Sequence, residues 1–246
     1  MTRQPQPDAA EMAAFRAIVD AAAGALDNLD TYLIREGEAH DLLVLHGLAM
    51  YARDTARAVL ALLDAGHQLS AAALTRVVLE YATVAQWVGA VPGRGVEFMR
   101  QGEVDQHRWY KVIEEAGIEL PESARGHRTA GMATRNVNGL DSPKTTFKAV
   151  DSSQQLYLQY RHLSKYVHPD VTTLSRYTAT VPHGLALAPA RQTGIDPESL
   201  LYFLAVGVLL ASLPYLEILD ETESLDRLVL LAAAHGVVAD LETGSE

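Results

Sequence analysis

The chain has 246 residues, a net charge of −11 and no cysteine. Such an acidic balance argues against broad, nonspecific nucleic-acid binding, and the missing cysteines exclude disulfides, thiolate metal sites and cysteine nucleophiles. Hydrophobic residues make up 48%, which suffices for one large core, and the abundance of Ala and Leu without β-branched runs favours an all-α fold.

The N-terminal half predicts four helices behind a short disordered lead, the polar and proline-rich residues 1–7. Boundaries follow from capping residues, because Asp8 and Ser70 are suitable N-caps and Gly66 and Gly117 are suitable C-caps. The predicted helices cover about residues 8–35, 38–64, 70–91 and 95–116.

The C-terminal half contains two irregular insertions. Residues 118–148 are rich in Gly, Pro, Ser, Thr and Asn and predict a long loop with at most one short helix. Residues 170–196 predict a second irregular segment, in which the weak alternation from Tyr177 to Pro182 suggests a short strand. The remaining predicted helices cover about 151–168, a long segment from 196, and 223–241.

The segment from Ser199 to Leu216 carries no charged residue and raises the question of a membrane span. Its flanks are acidic rather than basic, and Pro214 interrupts it, so a central buried helix is the better interpretation. We therefore expect a cytoplasmic antiparallel bundle of six to seven helices, without a membrane segment, formed by a single domain over residues 8–242.

A polar stripe on the predicted helix of residues 151–168 is the strongest functional signal. Leu156, Tyr160, Leu163 and Val167 recur at helical spacing and predict an apolar seam. One residue further along, the same spacing recurs in a phenol, a guanidinium, a hydroxyl and an imidazole, which belong to Tyr157, Arg161, Ser164 and His168. Such groups at the edge of a core predict a functional site, although each could also serve only to hydrogen-bond a neighbouring helix.

A second constellation lies on the predicted helix of residues 70–91. Arg76 and Glu80 are the two charged residues between Leu69 and Gly93, and their spacing of four places them on one face of a mostly apolar helix. A buried ion pair costs desolvation energy, so its presence calls for a reason. Glu80 is predicted to be structural, and for Arg76 both a structural role and a place in a charged pocket remain open.

The first insertion also carries a local basic island on this acidic chain. Its cationic side chains are candidates for steering phosphate groups toward a nearby site. They are Arg125, Arg128, Arg135, Lys144 and Lys148.

Two motifs together resemble an uncharacterised family of bacterial helical proteins. The first is Leu74-Thr-Arg76-x-x-x-Glu80, and the second is Tyr160-Arg161-x-Leu163-Ser164-x-Tyr166-x-His168-Pro169. This resemblance covers roughly residues 40–220 and implies no particular activity.

The spacing of Arg161 and His168, with the polar His162 after the arginine, also resembles the HEPN superfamily. That resemblance implies an α-helical bundle that dimerises, and in many members a metal-independent ribonuclease of toxin–antitoxin or phage-defence systems. It implies Arg161 and His168 as a catalytic pair contributed by both protomers, with Tyr157, Ser164, Arg76 and Glu80 in support. RNA, a second copy of the chain and a cognate antitoxin-type protein are the partners expected, with no cofactor and no metal.

Two other functions fit the same residues. The first is a non-enzymatic binding or regulatory module that keeps the polar residues as a hydrogen-bonded network. Whether Arg161 and His168 are exposed in a cleft or sealed inside the protomer helps to distinguish it from the nuclease. The second is a carboxylate-bridged metal oxygenase, which needs acidic and histidine ligands on several helices. Its candidate ligands are Glu80, Glu103, Asp105, His107, His168 and Glu217.

Overall fold

The computed structural model describes residues 8–29, 39–120, 137–168, 177–187 and 195–237. These residues form eight α-helices and one β-hairpin. The helices are α1 (Ala9–Asp27), α2 (Ala39–Asp64), α3 (Gln68–Gly89), α4 (Arg94–Glu115), α5 (Pro143–Val150), α6 (Gln155–Ser164), α7 (Pro197–Ile218) and α8 (Thr222–Ala234). The hairpin pairs β1 (Thr178–Val181) with β2 (Gly184–Leu187) in antiparallel register, Val181 opposite Gly184.

The all-α class is confirmed, with the small hairpin as an addition. The eight described helices exceed the predicted six to seven, because α5 forms inside the first insertion, which was predicted to be largely irregular. The predicted strand from Tyr177 exists and is half of the hairpin. The antiparallel order of the bundle stays a prediction.

Helix α7 lies at the centre of the core and packs against α1, α2, α3 and α8. It begins as predicted, with the Asp196 carboxylate accepting from the Ser199 amide at 3.1 Å and with Pro197 at the first helical position. Among the described residues it is the one helix long and apolar enough to cross a membrane, and 78% of its most apolar window is buried inside the protein. It thus has the burial of a core helix.

Pro214 lies inside α7 without breaking it, and a side chain on α3 explains why. Proline has no N–H, so the Leu210 carbonyl loses its helical partner in a buried position. The Gln86 amide donates to this carbonyl at 2.8 Å. The uncharged segment therefore stays helical because its neighbour supplies the missing hydrogen bond.

Ser70 is not the N-cap of α3, contrary to prediction. At the end of α2, Gly66 adopts a left-handed conformation, and the amide of His67 donates to the Leu62 carbonyl at 2.8 Å. This tight C-cap leaves only three residues, Ala65 to His67, between the two helices, so α3 begins at Gln68. Ser70 then lies in the first turn.

The last helix ends earlier than predicted for a similar reason. Gly236 is left-handed, and Val237 donates its amide to the Ala232 carbonyl at 2.9 Å, which closes α8 at Ala234. The periodic apolar residues beyond Gly236 had suggested continuation to residue 241. The far end of the first predicted helix, residues 30–35, and the disordered lead, residues 1–7, lie outside the described residues.

The helix that carries the polar stripe is shorter than predicted. It ends at Ser164, after which the amides of Tyr166 and Val167 donate to carbonyls three residues back. Such turns rotate the chain more per residue than an α-helix does. Val167 is consequently 40% exposed and does not belong to the apolar seam, whereas Leu156, Tyr160 and Leu163 are buried as predicted.

Replacing Gln86 by Leu should destabilise the fold, because it leaves the buried Leu210 carbonyl without a donor. We expect a loss of about 1–3 kcal/mol in the free energy of unfolding. In a Pro214→Ala background the new Ala amide can donate to Leu210, so the same substitution should cost much less. Urea unfolding of the four proteins, followed by far-UV circular dichroism, measures both losses, and equal losses in the two backgrounds would contradict this account.

Candidate functional site

The corner between α5 and α6 is built on one buried carboxylate. Asp151 is 3% exposed and accepts hydrogen bonds from the Ser153 amide at 2.9 Å, the Ser153 hydroxyl at 2.6 Å and the Leu156 amide at 2.9 Å. Asp151 thus caps the first turn of α6, which begins at Gln155 rather than near residue 151, and Gln154, in a left-handed conformation, precedes the first helical residue. This turn sets the direction in which α6 leaves α5.

An aromatic cluster next to that turn holds α5 and α6 together. The ring of Phe147, which is 1% exposed, lies 5.0 Å from that of Tyr160 and 5.9 Å from that of Tyr157, measured between centroids. Tilted pairs at these separations add to the energy of burial. The cluster fixes the side of α6 that carries the seam, and with it the neighbouring polar stripe.

Arg76 of α3 joins this assembly to the core of the protein. Its Nη2 donates to the Tyr160 hydroxyl at 2.6 Å and to Glu80 Oε1 at 2.9 Å, and its Nε donates to Ser164 Oγ at 3.1 Å. The guanidinium carbon also lies 4.7 Å from the centre of the Tyr160 ring. The guanidinium thus bridges two helices through three hydrogen bonds within the protomer, which supports the structural interpretation for both members of the ion pair.

A cavity of about 450 Å³ opens beside this network. It lies along the start of α5 and the exposed side of α6. Its described lining consists of Ser142, Pro143, Lys144, Tyr157, Tyr160, Arg161, Ser164, Lys165 and His168. We call it the basic cavity, because its lining holds three lysine or arginine side chains and, among the described residues, no carboxylate.

The basic cavity brings together the four residues of the predicted stripe. Tyr157 and Ser164 are half-buried, whereas Arg161 and His168 are exposed. His168 lies four residues beyond the end of α6 and still reaches the same cavity. Arg161 and His168 are therefore not sealed in the protomer, which is the arrangement that a site for an external ligand requires.

The basic island is only partly represented at this site. Lys144 lines the basic cavity, and Lys148 is exposed one turn further along α5. Arg125, Arg128 and Arg135 lie outside the described residues.

Four residues of the described cavity lining were not predicted as site residues, namely Ser142, Pro143, Tyr160 and Lys165. Lys165 lies four residues after Arg161, so helical spacing alone would have placed it on the same face. Tyr160 was assigned to the apolar seam; its ring is there, but its hydroxyl faces Arg76. The sequence could have predicted a polar partner for Tyr160, because the hydroxyl of a tyrosine in an apolar seam needs a hydrogen bond when it is buried.

The metal-oxygenase alternative finds no support in the arrangement of its ligands. The described residues, which include all its candidates, contain no group of three or more His, Asp or Glu side chains placed to hold a metal ion. Asp105 instead accepts from Gln101 at 3.1 Å and from Arg108 at 3.3 Å, and Glu80 accepts from Arg76.

Removing the guanidinium of Arg76 should destabilise the protein, whereas removing that of Arg161 should not. Arg76→Met leaves Glu80 and Tyr160 without their donor, and we expect a loss of about 1.5–3 kcal/mol in the free energy of unfolding. The exposed Arg161→Met is the matched control, with an expected change of at most about 0.5 kcal/mol. Urea unfolding distinguishes them, and similar losses in both variants would refute the division into a structural and a free arginine.

Comparisons with known proteins give a family but no activity. Neither the curated proteins nor the solved structures contain a match to this chain. The sequence does match the family described as "Family of unknown function (DUF5677)" over residues 42–183, a range that includes Arg76, Glu80 and the whole lining of the basic cavity. Since this match covers more than half of the chain, the protein belongs to that family of unknown function.

Proposed function

We propose that this protein is a HEPN-like, metal-independent endoribonuclease whose reaction takes place in the basic cavity. One observation carries the proposal: Arg161 and His168 are both exposed and line one cavity together with Lys144 and Lys165. Arginine, lysine and histidine are the side chains that bind phosphate and transfer protons near neutral pH.

Charge distribution supports an anionic ligand. The protein as a whole carries −11, so a random cavity lining would be expected to contain carboxylates. The described lining of the basic cavity instead combines three basic side chains with hydroxyl groups from Ser142, Tyr157 and Ser164. A concave surface of one sign concentrates ligands of the opposite sign, and RNA would therefore be drawn to this part of an otherwise repellent surface.

The chemistry needs a base and a cation. In the proposed reaction the imidazole of His168 accepts the proton of a ribose 2′-hydroxyl, and the 2′-oxygen attacks the adjacent phosphorus. The bond from phosphorus to the 5′-oxygen breaks, and the departing oxygen takes up a proton from water, which leaves a 2′,3′-cyclic phosphate. Arg161 binds the phosphate oxygens and stabilises the charge that builds up on them in the transition state.

We also propose that the bundle is antiparallel and forms a homodimer, in which the two protomers contribute Arg161 and His168 to a shared cleft. The protein would be cytoplasmic and would bind a cognate antitoxin-type protein. Tyr157 and Ser164 would orient the pair, while Lys148, Arg125, Arg128 and Arg135 would bind flanking phosphates.

A binding module without catalysis is the second candidate. The observation in its favour is that Ser164 is already engaged, since its hydroxyl donates to the Tyr160 carbonyl at 2.8 Å and accepts from Arg76. As a binding module, the protein would hold a phosphate-bearing ligand in the basic cavity without cleaving it.

Replacing His168 by Ala should abolish cleavage of RNA in the presence of EDTA. The loss of a general base lowers the rate by about 10²- to 10⁴-fold. Cleavage of a mixed RNA population by the purified protein, analysed on denaturing gels, gives the rates. Arg161→Ala should reduce the rate by a similar order, because its guanidinium stabilises the transition state.

His235→Ala is the matched control, since His235 is exposed at the end of α8 and lies outside the lining of the basic cavity. It should cleave like the wild type, and all variants should keep the wild-type circular dichroism spectrum. Equal cleavage by wild type and His168→Ala would rule out catalysis at this site. If the wild type binds RNA but does not cleave it, the protein is a binding module and not a nuclease.

Lys144 and Lys165 should each contribute one phosphate contact. We expect Lys144→Gln and Lys165→Gln to reduce the slope of log K against log salt concentration by about 0.7 each for single-stranded RNA, because one fewer counterion is released. Lys111→Gln, on the exposed side of α4, is the control and should leave the slope unchanged. Fluorescence anisotropy of a labelled RNA over a series of salt concentrations measures the slopes, and unchanged slopes in the first two variants would place RNA elsewhere.

A further inference from the structure

We propose that a second cavity, adjacent to the basic cavity, binds a guanine base of the nucleotide whose phosphate occupies the basic cavity. This inference rests on the proposed function, because it assigns a base subsite to the same RNA substrate. It gives the site a sequence preference, which the basic cavity alone lacks.

The second cavity lies between α3, α4 and the start of α5 and has a volume of about 340 Å³. Its position relative to the basic cavity is set by Ser142 and Pro143, which line both. Volumes from about 300 Å³ upward are typical of small-ligand sites. A nucleotide could thus place its base on one side of these two residues and its phosphate on the other.

Apolar side chains form most of the walls. Phe147 is buried, and Val84, Phe98 and Leu140 are partly buried and pack against the core. Flat apolar walls of this kind suit a planar base, since single-stranded RNA is commonly recognised by stacking an unpaired base on aromatic side chains.

The polar lining of this cavity includes three carboxylates and one guanidinium, those of Glu80, Asp105, Asp141 and Arg108. Arg108 and Gln101 already donate to Asp105, at 3.3 and 3.1 Å. The hydroxyls of Thr83 and Thr146 already donate to the carbonyls of Leu79 at 2.7 Å and Ser142 at 3.1 Å. Glu80 and Asp141 contribute carboxylates, each of which accepts about four hydrogen bonds. Glu80 uses Oε1 for Arg76, so the carboxylate keeps capacity for a ligand. The cavity therefore suits a ligand that presents donors.

Guanine has the matching edge. Its N1–H and N2–H₂ groups are adjacent donors that one carboxylate can bind together, whereas adenine, cytosine and uracil each place an acceptor beside their donor. The charges of the two cavities also match a guanosine 3′-phosphate, with its donors toward Glu80 or Asp141 and its anion toward Arg161 and Lys144. An arginine side chain has donors of the same kind but lacks a phosphate for the basic cavity.

The hydrogen bonds of Arg76 connect the two cavities. It binds Glu80, which lines the second cavity, and Ser164 and Tyr160, which line the basic cavity. A base held by Glu80 is therefore held by the same network that positions α6, and its ribose would enter the basic cavity in a fixed position relative to Arg161 and His168.

The test is calorimetric titration of the full chain with the four nucleoside 3′-monophosphates, with guanosine, with inorganic phosphate and with methylguanidine. We expect the guanine nucleotide to bind at least about tenfold more tightly than the other three, which is the discrimination expected of one bidentate pair. Glu80→Gln and Asp141→Asn should each reduce this preference. In Asp141→Asn, whose carboxylate lies outside the Arg76 network, the Kd for inorganic phosphate should change by less than about twofold.

Glu97→Gln is the matched control, because Glu97 precedes Phe98 on α4 but is exposed and does not line the cavity. It should retain the preference. If Glu80→Gln fails to fold, Asp141→Asn still tests the proposal, since Asp141 is exposed and accepts a long hydrogen bond from the Thr145 hydroxyl at 3.4 Å.

The outcomes separate this inference from the proposed function. Equal affinities for the four nucleotides, with binding of inorganic phosphate, would overturn the guanine subsite and leave the basic cavity intact. Guanosine binding without phosphate binding would support the second cavity and overturn the nuclease proposal. Tighter binding of methylguanidine than of guanosine would overturn the base subsite in favour of an arginine-bearing partner. Absence of binding by every probe would overturn both the guanine subsite and the proposed nuclease function.

Discussion

The hydrogen bonds of Arg76 are the constraint on which the candidate site depends. Helix α6 has only 10 residues, and short helices are marginal without tertiary contacts. Arg76 attaches it to α3 through Tyr160 and Ser164, while Phe147 and Asp151 fix it from the side of α5. Since α3 itself packs between α2 and α7, the exposed face of α6 is positioned by the whole core.

This arrangement explains why an ion pair is retained in a mostly apolar helix. A leucine and a methionine could fill the space of Arg76 and Glu80, but they could not bind two groups on α6 in defined directions. The guanidinium has a planar set of donors, and here it distributes them over a carboxylate, a phenol and a hydroxyl. The pair therefore determines where α6 lies more than it adds to stability.

Much of the fold followed from local sequence rules, and the departures have local physical causes. Asp196 and Pro197 defined the start of α7, and burial of α7 followed from its lack of charge. Two helix boundaries were predicted wrongly, the start of α3 at Ser70 and the end of α8 beyond Gly236. In both places a left-handed glycine ends the preceding helix with backbone hydrogen bonds that apolar periodicity does not encode. The bond from Gln86 to Leu210 joins residues far apart in sequence, and no pattern within either helix indicates it.

The helical part of the candidate site was predictable from residue spacing. Tyr157, Arg161 and Ser164 share a face of α6 because helical spacing dictates it, and Lys165, four residues after Arg161, could have been predicted on the same ground. The net charge of −11 describes the protein as a distant ligand meets it, whereas contact depends on the few side chains of a cavity. Three basic side chains line the basic cavity, Glu80 and Asp141 line the neighbouring one, and Ser142 and Pro143 belong to both. The two proposed subsites would therefore distinguish ligands by the order of charges along them.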